Sequence, residues 1–383
     1  MNVIVFDDLS VRAELLPITY TRPVGALRVG IDTIAEKWQA YIPGDYHWDP
    51  AAEYLREIYR GCDYEGSLRI AGHVLPDRAL ADAVLSLHHN GRLVAGEAVI
   101  AVRGDGSETV NYAGPVTAVR HLYDIFMLNA EVLAADFARL TAGRTSQPVS
   151  ATNTIIGDPS LIFIEEGATV EGAFLNTTHG PIYVGHEAEI MEGSMLRGPV
   201  ALCRHAVVNM GTKIYPGTTL GPWCKVGGEL NNVVMQAYSN KAHDGFLGNA
   251  VIGEWCNLGA GSVASNLKND YTPIRLWNYP TARFLRTGLQ FCGLIMGDHS
   301  KAGINTMFNT ATVLGVGVNI HGAGFPRNFV ASFSEGSTAG FSDVSMTKFF
   351  EIARRMMSRR GVELTEADER MFYAIREAAE AFK

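Results

Sequence analysis

Among the residues able to do chemistry, His243 stands first. A histidine is the residue type suited to take a proton from an attacking nucleophile, help worth about 10²–10⁴-fold in rate. Asp244 follows it, and the amides of Asn257 and Asn266 lie downstream. By residue type alone, His243 reads more simply as a loop histidine, and the asparagines as turn residues tolerant of left-handed backbone. Lys213, Lys225, Lys241 and Arg197 can hold a phosphate or be ordinary solvated charges. His299, Asn305, Asn309, Asn319 and His321 form a second polar cluster, read here as satisfied corner residues. His179, His186 and His205 are irregularly spaced, and Cys62, Cys203, Cys224, Cys256 and Cys292 contain no CxxC pair. No metal site is expected from them; the thiols read as reduced and buried.

These residues must be positioned by an unusual repeat. Val184, Ile190, Leu196, Leu202, Val208, Ile214, Leu220 and Val226 fall six apart. Two places before them stand mostly small residues: Ala188, Ser194, Val200, Ala206, Thr212, Thr218 and Cys224. A period of six fits neither a helix nor simple strand alternation; it is that of a hexapeptide β-helix. Three hexapeptides make one triangular coil, with the aliphatic side chain inward and the small one near a corner. The interior is therefore filled, and function belongs on the outer walls. The register breaks after Val226, where GGELNNVVMQAYSNKAHDGF reads as an interrupting loop that carries His243. It resumes at Ile252 and again at Met296, Ala302, Phe308, Leu314 and Ile320. Residues 267–290 read as a loop leaving the coil, and the helices expected at 346–359 and 364–382 can cap its open end.

The 383 residues allow two or three domains, and 47% of them are hydrophobic. Residues 1–140 read as an α/β domain, with a short buried strand at NVIVF and a helix entered by Asp77. GRLVAGEAVIAVRG reads as a hairpin, and LYDIFMLNAEVLAADFARL as an amphipathic helix. Residues 141–152 read as a linker, 153–330 as the β-helix and 331–383 as a helical cap. A net charge of −8 with no basic tract argues against nucleic-acid binding. No segment reads as a targeting signal or bilayer span, so a cytoplasmic protein is expected.

The stretch from Lys241 to Asn266, KAHDGFLGNAVIGEWCNLGAGSVASN, resembles the acetyltransferase domain of a bifunctional enzyme family. That family couples UDP-N-acetylglucosamine pyrophosphorylase to glucosamine-1-phosphate N-acetyltransferase. The matching residues are His243, Phe246, Leu247-Gly248, Ile252-Gly253, Asn257-Leu258-Gly259-Ala260-Gly261 and Asn266. The resemblance implies a left-handed parallel β-helix, an exception to the right-handed crossover rule, below a nucleotidyltransferase-like α/β domain and followed by C-terminal helices. It implies a homotrimer that binds acetyl-CoA between neighbouring coils. It makes His243 the general base, and gives acceptor roles to Asn257, Asn266, Lys241, Lys213, Phe246 and Glu229. Ala260, Asp298 and Ser300 would meet the cofactor.

VRAELLPITYTRPVGALRVG looks like the nucleotidyltransferase signature, and on that likeness Arg12 and Arg22 would meet a nucleotide. Mg²⁺ is implied only if this domain is active. The chain departs from the family in several places. FDDLSVRAE lacks glycine where backbone amides would cradle phosphate. Val24 replaces a lysine, and Gly72-His73 stands where Gly-Asp would hold the metal. Tyr215 and Asn231 replace the arginine and lysine that clamp the acceptor's phosphate. The resemblance implies an acetyl-CoA-dependent N-acetyltransferase acting on an amino-sugar phosphate. A sugar-1-phosphate nucleotidyltransferase with a purely structural β-helix, and a non-catalytic trimeric assembly protein, are the alternatives.

Overall fold

The computed structural model describes residues 1–62 and 66–383. By their contacts these form two units: Met1–Arg28, Asp32–Leu122 and Thr365–Ala374 in one, and Val29–Ile31, Tyr123–Leu364 and Ile375–Lys383 in the other. No helix among the described residues is long and apolar enough to cross a membrane.

The first unit is built on a six-stranded sheet. Its order is Asp45–Asp49, Asn2–Phe6, Leu68–Ala71, Ala98–Arg103, Gly91–Ala95, Glu108–Asn111. Val3, Ile4 and Val5 are buried because their strand lies centrally, parallel to both neighbours. Gly91–Ala95 and Ala98–Arg103 form the expected antiparallel hairpin. Asp77 caps the helix Arg78–Leu85 by accepting a hydrogen bond from the Leu80 N–H.

The amphipathic helix expected in the first domain lies with the second unit instead, and is split into Asp124–Met127 and Asn129–Thr141. The reason is its apolar stripe, which packs Leu133 and Phe137 against Phe163, Tyr183 and Ala201 of the coil. The buried Asn129 amide adds donors to the Gly217 carbonyl and the Thr219 hydroxyl, at 2.8 and 3.0 Å.

The rest of the second unit is the parallel, left-handed β-helix. The eight aliphatic residues spaced six apart are all buried, as are the seven residues two places before them. The helix has one wall of ten strands from Thr169–Val170 to Gly340–Asp343, while the other two walls merge into one sheet. They merge because Glu229–Ala237 and Phe246–Glu254 are long strands that bend at Asn232 and Asn249, both in left-handed conformation.

This corrects the reading of an interrupting loop after Val226. Lys225 pairs with Asn240 and Asn240 with Asn257, so the coil runs on at 15 and then 17 residues per turn. Val207 and Lys225, one turn earlier, are 18 apart. The shortened turns hide the six-residue period without breaking the coil. Residues after Ala264 do leave it, as expected, and carry a small antiparallel hairpin, Arg275–Asn278 with Arg283–Arg286.

One corner is an aromatic ladder. His205, Trp223, Tyr238, Trp255 and His299 all have φ between 53° and 61°, a conformation costing non-glycine residues about 1–2 kcal/mol each. Stacking offsets that cost: His205 lies 4.1 Å from Trp223, and Tyr238 4.1 Å from Trp255. The helix Met346–Ser358 then packs Phe349 against His299 and Phe333, at 5.5 and 5.2 Å. It therefore runs along the side of the coil, where the sequence suggested a cap on its end. The last parallel strand, Ser334–Ser337, is covered by antiparallel Gly340–Asp343.

Candidate functional site

His243 sits at a coil corner, exposed, between the strand Asn240–Lys241 of one wall and Phe246–Glu254 of the next. The corner turns tightly over the coil before it. Gly228 has φ +76°, and a Cβ there would lie 2.7 Å from the Gly245 carbonyl oxygen. On the other side, the Gly261 N–H donates to the Asp244 carbonyl at 3.0 Å. Ala260, half-buried beside that glycine, accepts from the Asn305 N–H at 2.7 Å.

The resemblance makes Lys241 an acceptor ligand, yet it occupies the inward slot of the coil, in register with Val226 and 1% exposed. Its ammonium donates to the Gly227 and His243 carbonyls, both at 2.8 Å. Burial pushes its pKa down to about 8, against the attraction of Asp244. Lys241 thus pins the backbone that carries His243.

The remaining acceptor residues flank this corner on two walls. Lys213, Glu229 and Phe246 stand in register on successive coils of one wall. The Phe246 ring and the Asn266 amide both crowd Gly248, where a Cβ would lie 2.7 Å from each. Asn266 is held by donating to Asn249 at 2.8 Å. Asn257 lies on the ten-stranded wall, in line with Asn240 and Lys301. The fold therefore places Asn257 and Asn266 on different walls.

Two of the three expected cofactor residues belong to the coil itself. Asp298, 4% exposed, accepts from the Glu254 N–H at 2.8 Å. Ser300 is fully buried; it donates to the Gly315 carbonyl at 2.7 Å and accepts from the Val318 N–H at 3.0 Å. These bonds tie both side chains into the stacked coils.

Sequence reasoning missed a cavity of about 540 Å³ beside the His243 corner. Its coil side is Lys225, Asn240, Asn257 and Lys301, together with Ala242 and the rings of Tyr238 and Trp255. Its other side is the helix Met346–Ser358 and the residues just after it, which contribute Arg355, Arg359 and Arg360. The signal available in the sequence was the run IARRMMSRR, read only as a helix.

In the first unit, Arg12 and Arg22 are 8% and 3% exposed. Arg12 donates to the Thr19 carbonyl at 3.0 Å and the Tyr54 hydroxyl at 2.7 Å, and Arg22 to the Thr21 hydroxyl at 3.3 Å. Both are engaged by groups of their own unit. The strand Asn2–Phe6 has the next two parallel strands of the sheet on its opposite sides, and the carboxyl end of such a strand is the usual ligand crevice of a parallel sheet. Here the turn after Pro23 fills it: a Cβ on Gly72 would lie 2.8 Å from the Gly25 backbone nitrogen. Asp7 accepts from the Val24 and Ala51 N–H groups at 2.7 and 3.2 Å, while burial raises its pKa to about 6. Burial lowers His73 to about 4. A carboxyl committed to two amides and a buried histidine do not fit a Mg²⁺ site.

Residues 3–145 match a family model described as sugar nucleotidyl transferase. The chain is similar to the Bifunctional protein GlmU of Synechococcus elongatus, 24% identical over 241 residues, covering 56% of this chain and 48% of that one. GlmU of Kineococcus radiotolerans is 31% identical over 170 residues, 44% and 27% of the two chains. A bifunctional sugar-1-phosphate nucleotidylyltransferase/acetyltransferase of Sulfurisphaera tokodaii is 27% identical over 144 residues, 37% and 35%. The chain spans about half the length of the first of these relatives. A solved polysialic acid O-acetyltransferase, OatWY, superposes at TM-score 0.27 and 12% identity over 51% of this chain and 85% of that one, too loosely to compare residues. The chain is thus similar to GlmU proteins over about half of its length, with residues 3–145 matching the sugar nucleotidyl transferase model and a β-helix making up most of the second unit.

Proposed function

We propose that this protein is an acyltransferase that moves an acetyl group from acetyl-CoA to the amine of a phosphorylated amino sugar. The observation that carries this reading is the exposed His243, its backbone pinned by Lys241 at a coil corner. Asn257 flanks it on one wall, and Phe246 with Asn266 on the other. In the reaction the amine nitrogen attacks the thioester carbonyl carbon as His243 takes the N–H proton. The C–S bond then breaks, and the CoA sulfur leaves as thiolate and is protonated. Asn257 and Asn266 are suited to orient the sugar and the thioester end, and Phe246 supplies an apolar wall.

A homotrimer is part of the proposal. Ile156, Phe174, Met195 and Tyr215 are each 40–48% exposed along one stretch of outer wall, an apolar stripe suited to a second copy. The absence of a membrane-crossing helix among the described residues is compatible with a cytoplasmic setting.

The test is release of free thiol from acetyl-CoA in the presence of glucosamine-1-phosphate. His243→Gln should abolish it while leaving the assembly unchanged by light scattering. Thiol release that survives in this variant refutes the role of His243. The match to the nucleotidyl transferase model favours a second activity, read as pyrophosphate release from UTP and N-acetylglucosamine-1-phosphate. The filled crevice and the engaged Asp7 predict little or none.

A further inference from the structure

The cavity between the coil and the helix Met346–Ser358 is lined by five cations: Lys225, Lys301, Arg355, Arg359 and Arg360. No carboxylate is part of that lining. Arg355 does pair with Glu351 at 3.4 Å, but both groups are largely exposed, and such pairs contribute little. The Lys301 ammonium donates to the His299 carbonyl at 3.0 Å, and burial lowers its pKa. A desolvated cation among other cations is unfavourable until an anion arrives. The side-chain amides of Asn240 and Asn257 complete the coil side, and neither bonds within the described residues.

The type of anion follows from the donors. Tyr238 and Trp255, which also line the cavity, are stacked on each other, and the Arg360 guanidinium lies 5.4 Å from the centroid of the Trp223 ring. Arginine forks, ammonium groups and amides suit phosphate oxygens. A favourable end-of-helix position accounts for Arg359 and Arg360 in part, but for neither lysine.

We propose that this cavity binds the phosphate of the ligand handled at His243, with cations from the helix after the coil replacing those absent at Tyr215 and Asn231. The link to transfer rests on the acyltransferase reading; anion binding itself does not. Ala242, which precedes His243, lines the cavity and joins the two.

Inorganic pyrophosphate is the probe, titrated calorimetrically into the full-length protein. The wild type should bind it, and Arg355→Gln and Arg359→Gln, on exposed side chains, should each weaken binding about tenfold, roughly the loss of one charge-assisted hydrogen bond. Asn257→Ala, which leaves the charge unchanged, should weaken it less. Competition by glucosamine-1-phosphate would assign the site to the acceptor, and competition by adenosine 3′,5′-bisphosphate to the acyl donor. Absence of binding, unchanged affinity in both arginine variants, or competition by neither compound overturns the proposal. Pyrophosphate binding that persists in His243→Gln while thiol release is lost separates this site from the transfer step. Arginine-dependent binding without transfer to any amino sugar would refute the acyltransferase reading alone.

Discussion

Replacing Lys241 with methionine tests whether a charged side chain inside the coil holds the His243 corner. The lysine is 1% exposed, and both its hydrogen bonds go to neutral carbonyls. Its pKa falls from an ordinary 10.5 to about 8. At about 1.4 kcal/mol per pH unit, keeping it charged costs the folded protein about 3 kcal/mol at neutral pH. The sign follows from proton counts. Between pH 8 and 10.5 the unfolded chain holds a proton that the folded chain has released, so stability rises with pH across that window. Lys241→Met removes this term, while other groups, including the thiols of Cys256 and Cys292 that burial raises to about 12, titrate alike in both proteins. The wild type should therefore gain on the variant by about 2–3 kcal/mol between pH 7 and 10. Guanidinium unfolding followed by tryptophan fluorescence reads this, since Trp223, Trp255 and Trp277 all lie in the coil unit. A difference that stays flat across this range refutes the buried, desolvated ammonium. Thiol release should also fall in the variant at pH 7, because the His243 carbonyl loses its anchor.

Other substitutions separate structural from functional roles. Ser300→Ala strands the Val318 N–H and the Gly315 carbonyl, and should cost about 1–3 kcal/mol in chemical denaturation; a raised KM for acetyl-CoA at unchanged stability would return Ser300 to the cofactor site. Gly72→Ala drives a Cβ against the Gly25 backbone nitrogen and should destabilise the first unit by about 1–3 kcal/mol, visible as earlier unfolding of the Trp38 and Trp48 environment. A variant as stable as wild type would mean that the crevice is open. Trp255→Ala removes one rung of the aromatic corner and should cost about 3–5 kcal/mol by thermal unfolding; a loss below 1 kcal/mol would show that the ladder does not hold the turn.

The repeat was legible because one physical demand recurs every six residues: an aliphatic side chain must fill each inner wall. That demand is local and periodic, so Val184 to Val226 announced the coil without any knowledge of tertiary contacts. The period fades where the turns shorten to 15 and 17 residues, so it does not mark Lys241 as inward. Nothing local marks a lysine as inward-facing; its neighbour Val226 in the adjacent coil does. The bonds of Asp298 and Ser300 are equally invisible along the chain, since their partners Glu254, Gly315 and Val318 become neighbours only when coils stack.

The sequence by itself determined the coil, the inward residues of its regular 18-residue turns and the motif around His243, because these depend on spacing along one strand of chain. The tertiary structure decided which side chains face solvent at that corner, and it set Arg355 and Arg359 opposite Lys225 and Lys301. Charges that far apart in the chain share a cavity only because the ladder from His205 to His299 offers Phe349 a place to pack.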